Sequence, residues 1–299
     1  MRRLLQKLRK IPHYVPQYID VPYVPAGHFY SPIADTAALV AEKDRLWPPH
    51  PHVAGIDWND DGHRRMLTEI FPRFIRLYDY PELLPDGPQL VDFYTGNPQF
   101  SWLDARALFV LLHAWRPQRV IEVGSGYSSL LMANVNRRWF ESGIQVTCIE
   151  PYPAEFLRNR IDGISRLIED KVQNVALTEF ASLAAGDVLF IDSSHVAKIG
   201  SDVNWLYFDV LPTLAAGVHV HIHDIFLPHE YPQVWAIDQN RSWNEQYIVR
   251  ALLMYSTGFR VEFGCAYAFH AFPDLVASAL GKSPGEGYGG GSLWLTKLV

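Results

Sequence analysis

From residue 101 onward, short apolar runs alternate with amphipathic stretches. Strands are expected at Arg119–Val123, Gln145–Ile149, Ser165–Ile168, Val188–Ile191, Val218–Ile222, Phe259–Phe263 and Leu293–Leu298, with helices at Ser128–Trp139, Ala154–Ile161, Val203–Leu214 and Glu245–Tyr255. Near-continuous apolar strands separated by helices predict a parallel sheet covered on both faces. No convincing helix separates the last two strands, and the Gly-rich turn before Ser292 predicts that the final strand returns antiparallel beside its predecessor. Residues 1–100 read differently. Prolines and aromatics recur through Ile11-Pro-His-Tyr-Val-Pro, Val21-Pro-Tyr-Val-Pro and Gly27-His-Phe-Tyr-Ser-Pro-Ile33, a density that breaks helices and sheets. Helical periodicity appears only at Thr36–Leu46 and Gly62–Leu77, where Met66, Leu67, Ile70, Phe71, Phe74 and Ile75 form an apolar stripe. The expected organisation is an extended arm and helical cap over residues 1–100, closing as a lid on an α/β domain over residues 101–299.

Composition narrows the class. With 299 residues, 48% of them hydrophobic, the chain can bury the core of one large α/β domain plus an appendage. A formal net charge of −6, without a basic stripe, gives no reason to expect a nucleic-acid partner. Cys148 and Cys265 stand far apart, which argues against a disulfide framework and for a reducing cytoplasm. The basic start, Met1 to Lys10, runs into Pro12 with no apolar stretch behind it. A signal peptide needs such a stretch and a membrane span needs about 20 apolar residues, so neither is expected. Leu4, Leu5 and Leu8 share a helical face, but a short solvated leader is the plainer reading than a membrane-surface helix. The chain is expected to be soluble.

The strongest local signal is Arg119-Val-Ile-Glu-Val-Gly-Ser-Gly-Tyr-Ser-Ser129: a strand, a Gly-x-Gly turn and a helix start. Gly124 and Gly126 let the backbone turn sharply and approach a ligand closely. Such a turn alone fits dehydrogenases as well. Here Ser129 replaces the third glycine of the dinucleotide fingerprint, which argues against a pyrophosphate. Glu122 would repel a phosphate but suits a cofactor with a cationic end. Glu150 ends the second strand, where a carboxylate can accept hydrogen bonds from ribose hydroxyls.

Taken together, Glu122-Val-Gly-Ser-Gly, Glu150-Pro-Tyr-Pro, Ile191-Asp-Ser-Ser-His195, Gly200-Ser-Asp-Val-Asn204 and His221-Ile-His-Asp-Ile-Phe226 resemble a bacterial branch of class I S-adenosylmethionine (SAM)-dependent methyltransferases. Gly27–Ile33, Trp243-Asn-Glu245 and Gly291-Ser-Leu-Trp294 extend the resemblance over nearly the whole chain. It implies a doubly wound, seven-stranded, mostly parallel Rossmann-like sheet of order 3-2-1-4-5-7-6, the seventh strand antiparallel. It also implies SAM across the C-terminal edges of strands 1, 2 and 4. By position, Gly124, Ser125, Gly126 and Tyr127 would pass under the methionine part and Glu122 would lie near its amino group. Glu150 and Pro151 would meet the ribose, and Val172 and Gln173 the adenine, although the family more often has an Asp near Gln173. Tyr30, Ser31, Asn97, Phe100 and Ser101 fall in family-like segments and are candidates to touch SAM or the acceptor. The implied partner is a small molecule, with a homodimer left open as the assembly.

Two strand ends carry the candidate chemistry: Asp192-Ser-Ser-His195 after the fourth strand and His223-Asp224 after the fifth. Ligands of open α/β sheets bind outside the carboxyl ends of strands, so both ends should face one cleft. His195, with an ordinary pKa of about 6.5, is the candidate general base for a hydroxyl acceptor. Asp192, His223 and Asp224 are instead the ligands if a divalent metal lowers the acceptor's pKa. Catechol-type enzymes usually present Asp-Asn or Asp-Asp after strand 5, and His-Asp here would favour iron, zinc or manganese over magnesium. His219 and His221, on the same strand face as His223, are read as packed core residues. O-methylation with a His base leads, with nitrogen or carbon acceptors close behind. A metal-dependent methyltransferase, a SAM-dependent cyclase on the same fold and a non-enzymatic SAM-binding subunit are the alternatives.

Overall fold

In the computed structural model, which describes residues 22–84, 90–281 and 289–299, the apolar runs become seven strands. These are β1 (Arg119–Val123), β2 (Gln145–Ile149), β3 (Arg166–Ile168), β4 (Val188–Ile191), β5 (His219–Ile222), β6 (Phe259–Gly264) and β7 (Leu293–Lys297). They form one sheet of order β3-β2-β1-β4-β5-β7-β6. The first five pair in parallel, and β7 lies antiparallel between β5 and β6. The centre is apolar because both faces are covered: all four residues of β4 are buried. Val123 pairs with Ile191, and Ile191 with Ile222, so β1, β4 and β5 end level and their following loops meet.

Helices α1 (Trp102–Trp115) and α2 (Tyr127–Trp139) cover one face with α3 (Glu245–Leu253) on the other; α4 (Cys265–Ala271) and α5 (Pro273–Leu280) join α1 and α2. The expectation of no helix between the last two strands is therefore corrected, since α4 and α5 fill that connection. The final strand does return antiparallel to β6. Helix α1 was not legible as an amphipathic element because Leu103 to Leu112 is buried nearly all round, leaving no polar face to set the period. Met66, Leu67, Phe71, Phe93 and Phe100 pack into the same core as α1 and α2, so residues before 100 help build the sheet's cover.

Two expected helices are interrupted for one physical reason. The segments at 60–77 and 202–213 each widen into a π turn, Met66–Ile70 and Leu206–Val210, just before Pro72 and Pro212. A proline has no N–H for the carbonyl four residues back and its ring crowds that carbonyl, so the turn opens. The helix expected at Ala154–Ile161 shrinks to Glu155–Arg158, and Arg160 takes a left-handed φ of 53° that stops it. Among the described residues, no helix is long and apolar enough to cross a membrane. Leu4, Leu5 and Leu8 lie outside the described residues. Cys148 and Cys265 are free and buried.

Candidate active site

The turn after β1 is shaped by its neighbour. Gly124 has a φ of +81°, and a Cβ there would sit 1.7 Å from the Asp192 carbonyl oxygen, so only glycine lets the loops after β1 and β4 approach this closely. Gly126 differs, because its φ of −165° is extended backbone that any residue adopts. A Cβ there would meet only Gln99 Oε1, at 3.8 Å, and Gln99 is itself on the cleft wall. The space beside Gly126 is thus open and forms part of the cleft wall.

Two adjoining cavities open along the strand ends. One, of about 560 Å³, is walled by Gly124–Ser128, Glu150, Asp192, His195, His223 and Asp224. The other, of about 530 Å³, shares Gly124, Glu150 and Asp192 and adds Pro151, Val172 and Gln173. Glu150 stands where they join. Its Oε2 accepts from Ser125 N at 3.2 Å and its Oε1 from Tyr152 N at 2.8 Å, which fixes the carboxylate at the end of β2. Gln173 is held by a bond from its Nε2 to Gly200 O at 3.0 Å.

Other expected residues fall elsewhere. Glu122 lines neither cavity: it is fully buried and accepts from Ser128 Oγ at 2.6 Å, from Ser129 Oγ, and from Cys148 Sγ at 3.3 Å. Its carboxylate braces the start of α2 from behind, and the contact expected with a cofactor's amino group is not the one this position offers. Tyr30 is 68% exposed, and neither it nor Ser31 lines the cleft. Ser101 lies just behind the wall, donating to Thr95 O, while its neighbours Gln99 and Phe100 face the cavity. Asn97 is buried and holds the 94–100 loop through Tyr94 O, Phe100 O and Phe100 N.

Burial pushes the Glu122 carboxyl up to about 7, with the bonds from Ser128, Ser129 and Cys148 pulling back. An acid whose folded pKa is raised stabilises the fold fully below its unfolded pKa, and that contribution is lost as pH rises through the folded value. Glu122→Gln is therefore expected to lose less stability than wild type between about pH 4.5 and 7. Thermal melts of both proteins across that range check this; parallel curves would contradict it.

The histidine–aspartate cluster assembles as its two strand ends predict, with one addition. His195 Nδ1 lies 2.9 Å from Glu245 Oε2, and Nε2 is 3.4 Å from both Asp192 Oδ1 and Asp224 Oδ2. Glu245, at the start of α3, is fully buried; it also accepts from Tyr207 Oη at 3.0 Å and Ser193 Oγ at 3.3 Å. The same segment clamps the loop backbone. Asn244 N and Glu245 N donate to His195 O at 3.0 and 3.2 Å, and Asn244 Oδ1 accepts from Ala197 N at 2.6 Å. His195 and Asp224 both sit at left-handed φ, 60° and 56°, a costly conformation for residues with a Cβ, held by these bonds and by Ile225 N donating to Gly291 O at 2.8 Å.

Electrostatics follow from the crowding of acids. Burial works to deprotonate His195, but Asp192 and Glu245 outweigh it and push its pKa up to about 10. Burial opposes ionisation of Asp192, yet His223 and His195 hold its carboxyl below the usual range. Burial opposes the charged form of His223 too; Asp192 and Asp224 outweigh it and raise its pKa. For Asp224 burial wins and the pKa is raised, the two histidines offsetting it only in part. Ligand atoms of Asp192, His223 and Asp224 lie within 4.8 Å of one another, so two oxygens and a nitrogen can converge on one cation.

His219 and His221 are packed as expected. His219 stacks on Trp115 at 3.7 Å and bonds Thr296 Oγ1; His221 stacks on Phe190 at 3.6 Å and bonds Ser292 Oγ. Burial pulls His219 down to about 4 and His221 well below the ordinary value. Sequence reasoning missed one wall of the cleft, which Trp235, Arg241 and Trp243 line. Trp243-Asn-Glu245 carries part of the family resemblance, but nothing in its spacing announces that Glu245 reaches His195.

Residues 121–225, from β1 past the end of β5, match a family model described as a methyltransferase domain. An uncharacterised protein of Archaeoglobus fulgidus is 36% identical over 163 residues, which cover 53% of this chain and 73% of that protein. Among solved structures, a putative O-methyltransferase from Klebsiella pneumoniae is 14% identical, with 68% of this chain and 84% of that one covered at a TM-score of 0.35. The plantazolicin methyltransferase BpumL is 12% identical, with 80% and 90% covered at 0.40. Likenesses this distant say nothing about what the chain acts on. The chain belongs to the same family as the archaeal protein and carries a methyltransferase domain on its sheet.

Proposed function

We propose that this chain moves the methyl group of SAM to an oxygen of a small molecule, with His195 as the group that takes the acceptor's proton. One observation carries the reading: the open turn at Gly124–Gly126, the Glu150 carboxylate and His195 braced by Glu245 all face one cleft. SAM supplies a methyl group on a cationic sulfur, ready for in-line displacement, so the protein's work is alignment and proton removal. Glu150 holds the ribose hydroxyls, and Pro151, Val172 and Gln173 border the adenine end. Gly126 leaves room for the methionine part beside Ser125 and Tyr127. Glu245 fixes the tautomer and ring of His195, leaving Nε2 toward the acceptor beside Asp192 and Asp224. The arm acts at a distance: Trp47 Nε1 donates to Tyr231 O at 2.8 Å and Ala34 N to Ser242 Oγ at 3.2 Å, steadying the segment that carries Trp235 and Trp243.

A second reading rests on the convergence of Asp192, His223 and Asp224. Those residues fit a divalent cation, which would acidify an acceptor hydroxyl. A cyclase using another carbon of SAM is separated by product, methylthioadenosine instead of S-adenosylhomocysteine.

The cofactor assignment is tested at Glu150. Glu150→Ala is expected to weaken SAM binding about 10- to 100-fold, the worth of a charge-assisted hydrogen bond pair. Calorimetric titration checks it, with NADH as the negative control. Tight NADH binding with none for SAM would overturn the assignment.

A further inference from the structure

Among the described residues, the acid-rich cleft contains one arginine with no acid paired to it. Arg241 is the sole Lys or Arg among the described residues on the wall of the cavity that holds His195, against Glu150, Asp192 and Asp224. Among the described residues its guanidinium makes no ion pair and no hydrogen bond. It is instead placed by ring faces: its carbon lies 4.4 Å from the Trp235 ring centre and 4.7 Å from that of Trp243. Its backbone N–H donates to Trp235 O at 2.8 Å, closing the loop that brings the two indoles together, 5.2 Å apart. Glu230, the acid nearest in the adjoining small cavity, is occupied by Tyr247 Oη at 2.7 Å and Gln246 Nε2 at 3.4 Å. Trp243 also packs on His195, 4.4 Å between ring centres. One indole thus separates the proton-accepting histidine from the free guanidinium.

We infer that Arg241 reads an anionic group on the acceptor, so that the substrate is a hydroxy acid: a ring-sized molecule with a hydroxyl at His195 and a carboxylate or similar anion at Arg241. This deepens the proposed methyl transfer and rests on it. A neutral acceptor would leave the guanidinium without an ionic partner in the cleft, whereas an acid ends on its fork of N–H donors. Without Arg241 the surrounding carboxylates would repel such an anion. The guanidinium is therefore a specificity element and takes no part in the transfer itself.

The test uses the full chain loaded with S-adenosylhomocysteine and two matched pairs of probes, 4-hydroxybenzoate against 4-hydroxybenzamide and glucuronate against glucose. In calorimetric titration, the acid of at least one pair is expected to bind about tenfold or more tightly than its neutral mate, the scale of a charge-assisted bidentate contact. Arg241→Gln should erase that difference and leave S-adenosylhomocysteine affinity unchanged; Arg241→Lys should restore part of it. The inference falls if neither acid is preferred or if the preference survives in Arg241→Gln. It falls equally if that variant loses S-adenosylhomocysteine instead, which would assign Arg241 to the cofactor's own carboxylate. Failure of the wild-type chain to bind S-adenosylhomocysteine would strike the methyl-transfer reading, and the same titrations on the unloaded chain would still decide the anion site.

Discussion

His195→Ala is expected to lower turnover by about 100- to 10,000-fold, the range of a positioned proton acceptor, while SAM binds as before. The split follows from the proposed arrangement, in which His195 Nε2, beside Asp192 and Asp224, would face the acceptor while Glu150, Val172 and Gln173 would meet the adenosine end. The pH dependence adds a sharper signature. An imidazole accepts a proton only when neutral, and Asp192 and Glu245 push His195 up to about 10 against the effect of burial. The rate should therefore climb with pH well into the alkaline range, without levelling near the ordinary histidine value of about 6.5. Glu245→Gln removes one of the acids that hold the proton, so its inflection should move down. The same linkage governs stability: the contribution of His195 is full below its unfolded pKa and fades as pH rises through about 10. Turnover and SAM titrations of His195→Ala, with pH–rate profiles of wild type and Glu245→Gln, check these outcomes. Unchanged turnover in His195→Ala would remove the base from the mechanism.

The sheet was legible because its evidence is local. Each strand from Arg119 to Ile222 is an apolar run bounded by turn residues, and observed limits differ from expected ones by at most the first residue. What escaped was packing-dependent. Helix α1 is apolar on every side because it lies against the sheet and beneath other helices, so burial erased its periodicity. Helix α4 follows β6 directly through Gly264, and its Tyr267 and Phe269 read no differently from a strand extension.

The site divides in the same way. Asp192, His195, His223 and Asp224 were readable since chemistry-bearing residues at the ends of adjacent parallel strands must meet. Glu245 was not, because its approach to His195 crosses 50 residues of chain and depends on α3 docking beside Tyr207. Glu122 shows the opposite case. Its strand position marked it as a cofactor acid, but strand side chains alternate between faces, and its face turns toward Ser128, Ser129 and Cys148 rather than the cleft. Tyr30 and Ser31 were carried over by resemblance alone, and the arm instead spends its contacts on residues 231–242.

Asp224→Ala is the second substitution expected to have a large effect, about 100-fold or more on turnover, the cost of misplacing a reacting group by about an ångström. The Asp224 carboxylate is placed by a strained backbone with φ of 56°, and a Cβ on Gly291 would come 2.8 Å from its Cα, so neighbouring chain fixes it tightly. Loss of turnover alone does not separate proton transfer from metal assistance, because Asp224 Oδ2 both faces His195 Nε2 and belongs to the convergent set with Asp192 and His223. Three further measurements do. With His195 as base, a strong chelator leaves wild-type turnover intact, elemental analysis of the purified chain finds no stoichiometric metal, and His223→Ala retains far more activity than His195→Ala. With a cation at Asp192, His223 and Asp224, chelation abolishes turnover and one particular divalent ion restores it. About one metal per chain is then found in wild type and none in Asp224→Ala, because a carboxylate ligand contributes directly to the ion's affinity. We expect the first pattern. His195 already has its orienting acid in Glu245 and turns Nε2 into the cleft beside Asp192 and Asp224, whereas His223 Nε2 lies 3.7 Å from Asp224 Oδ1 with its charge balanced by the two aspartates. Chelator sensitivity with ion-specific rescue would transfer the chemistry from His195 to the three convergent ligands.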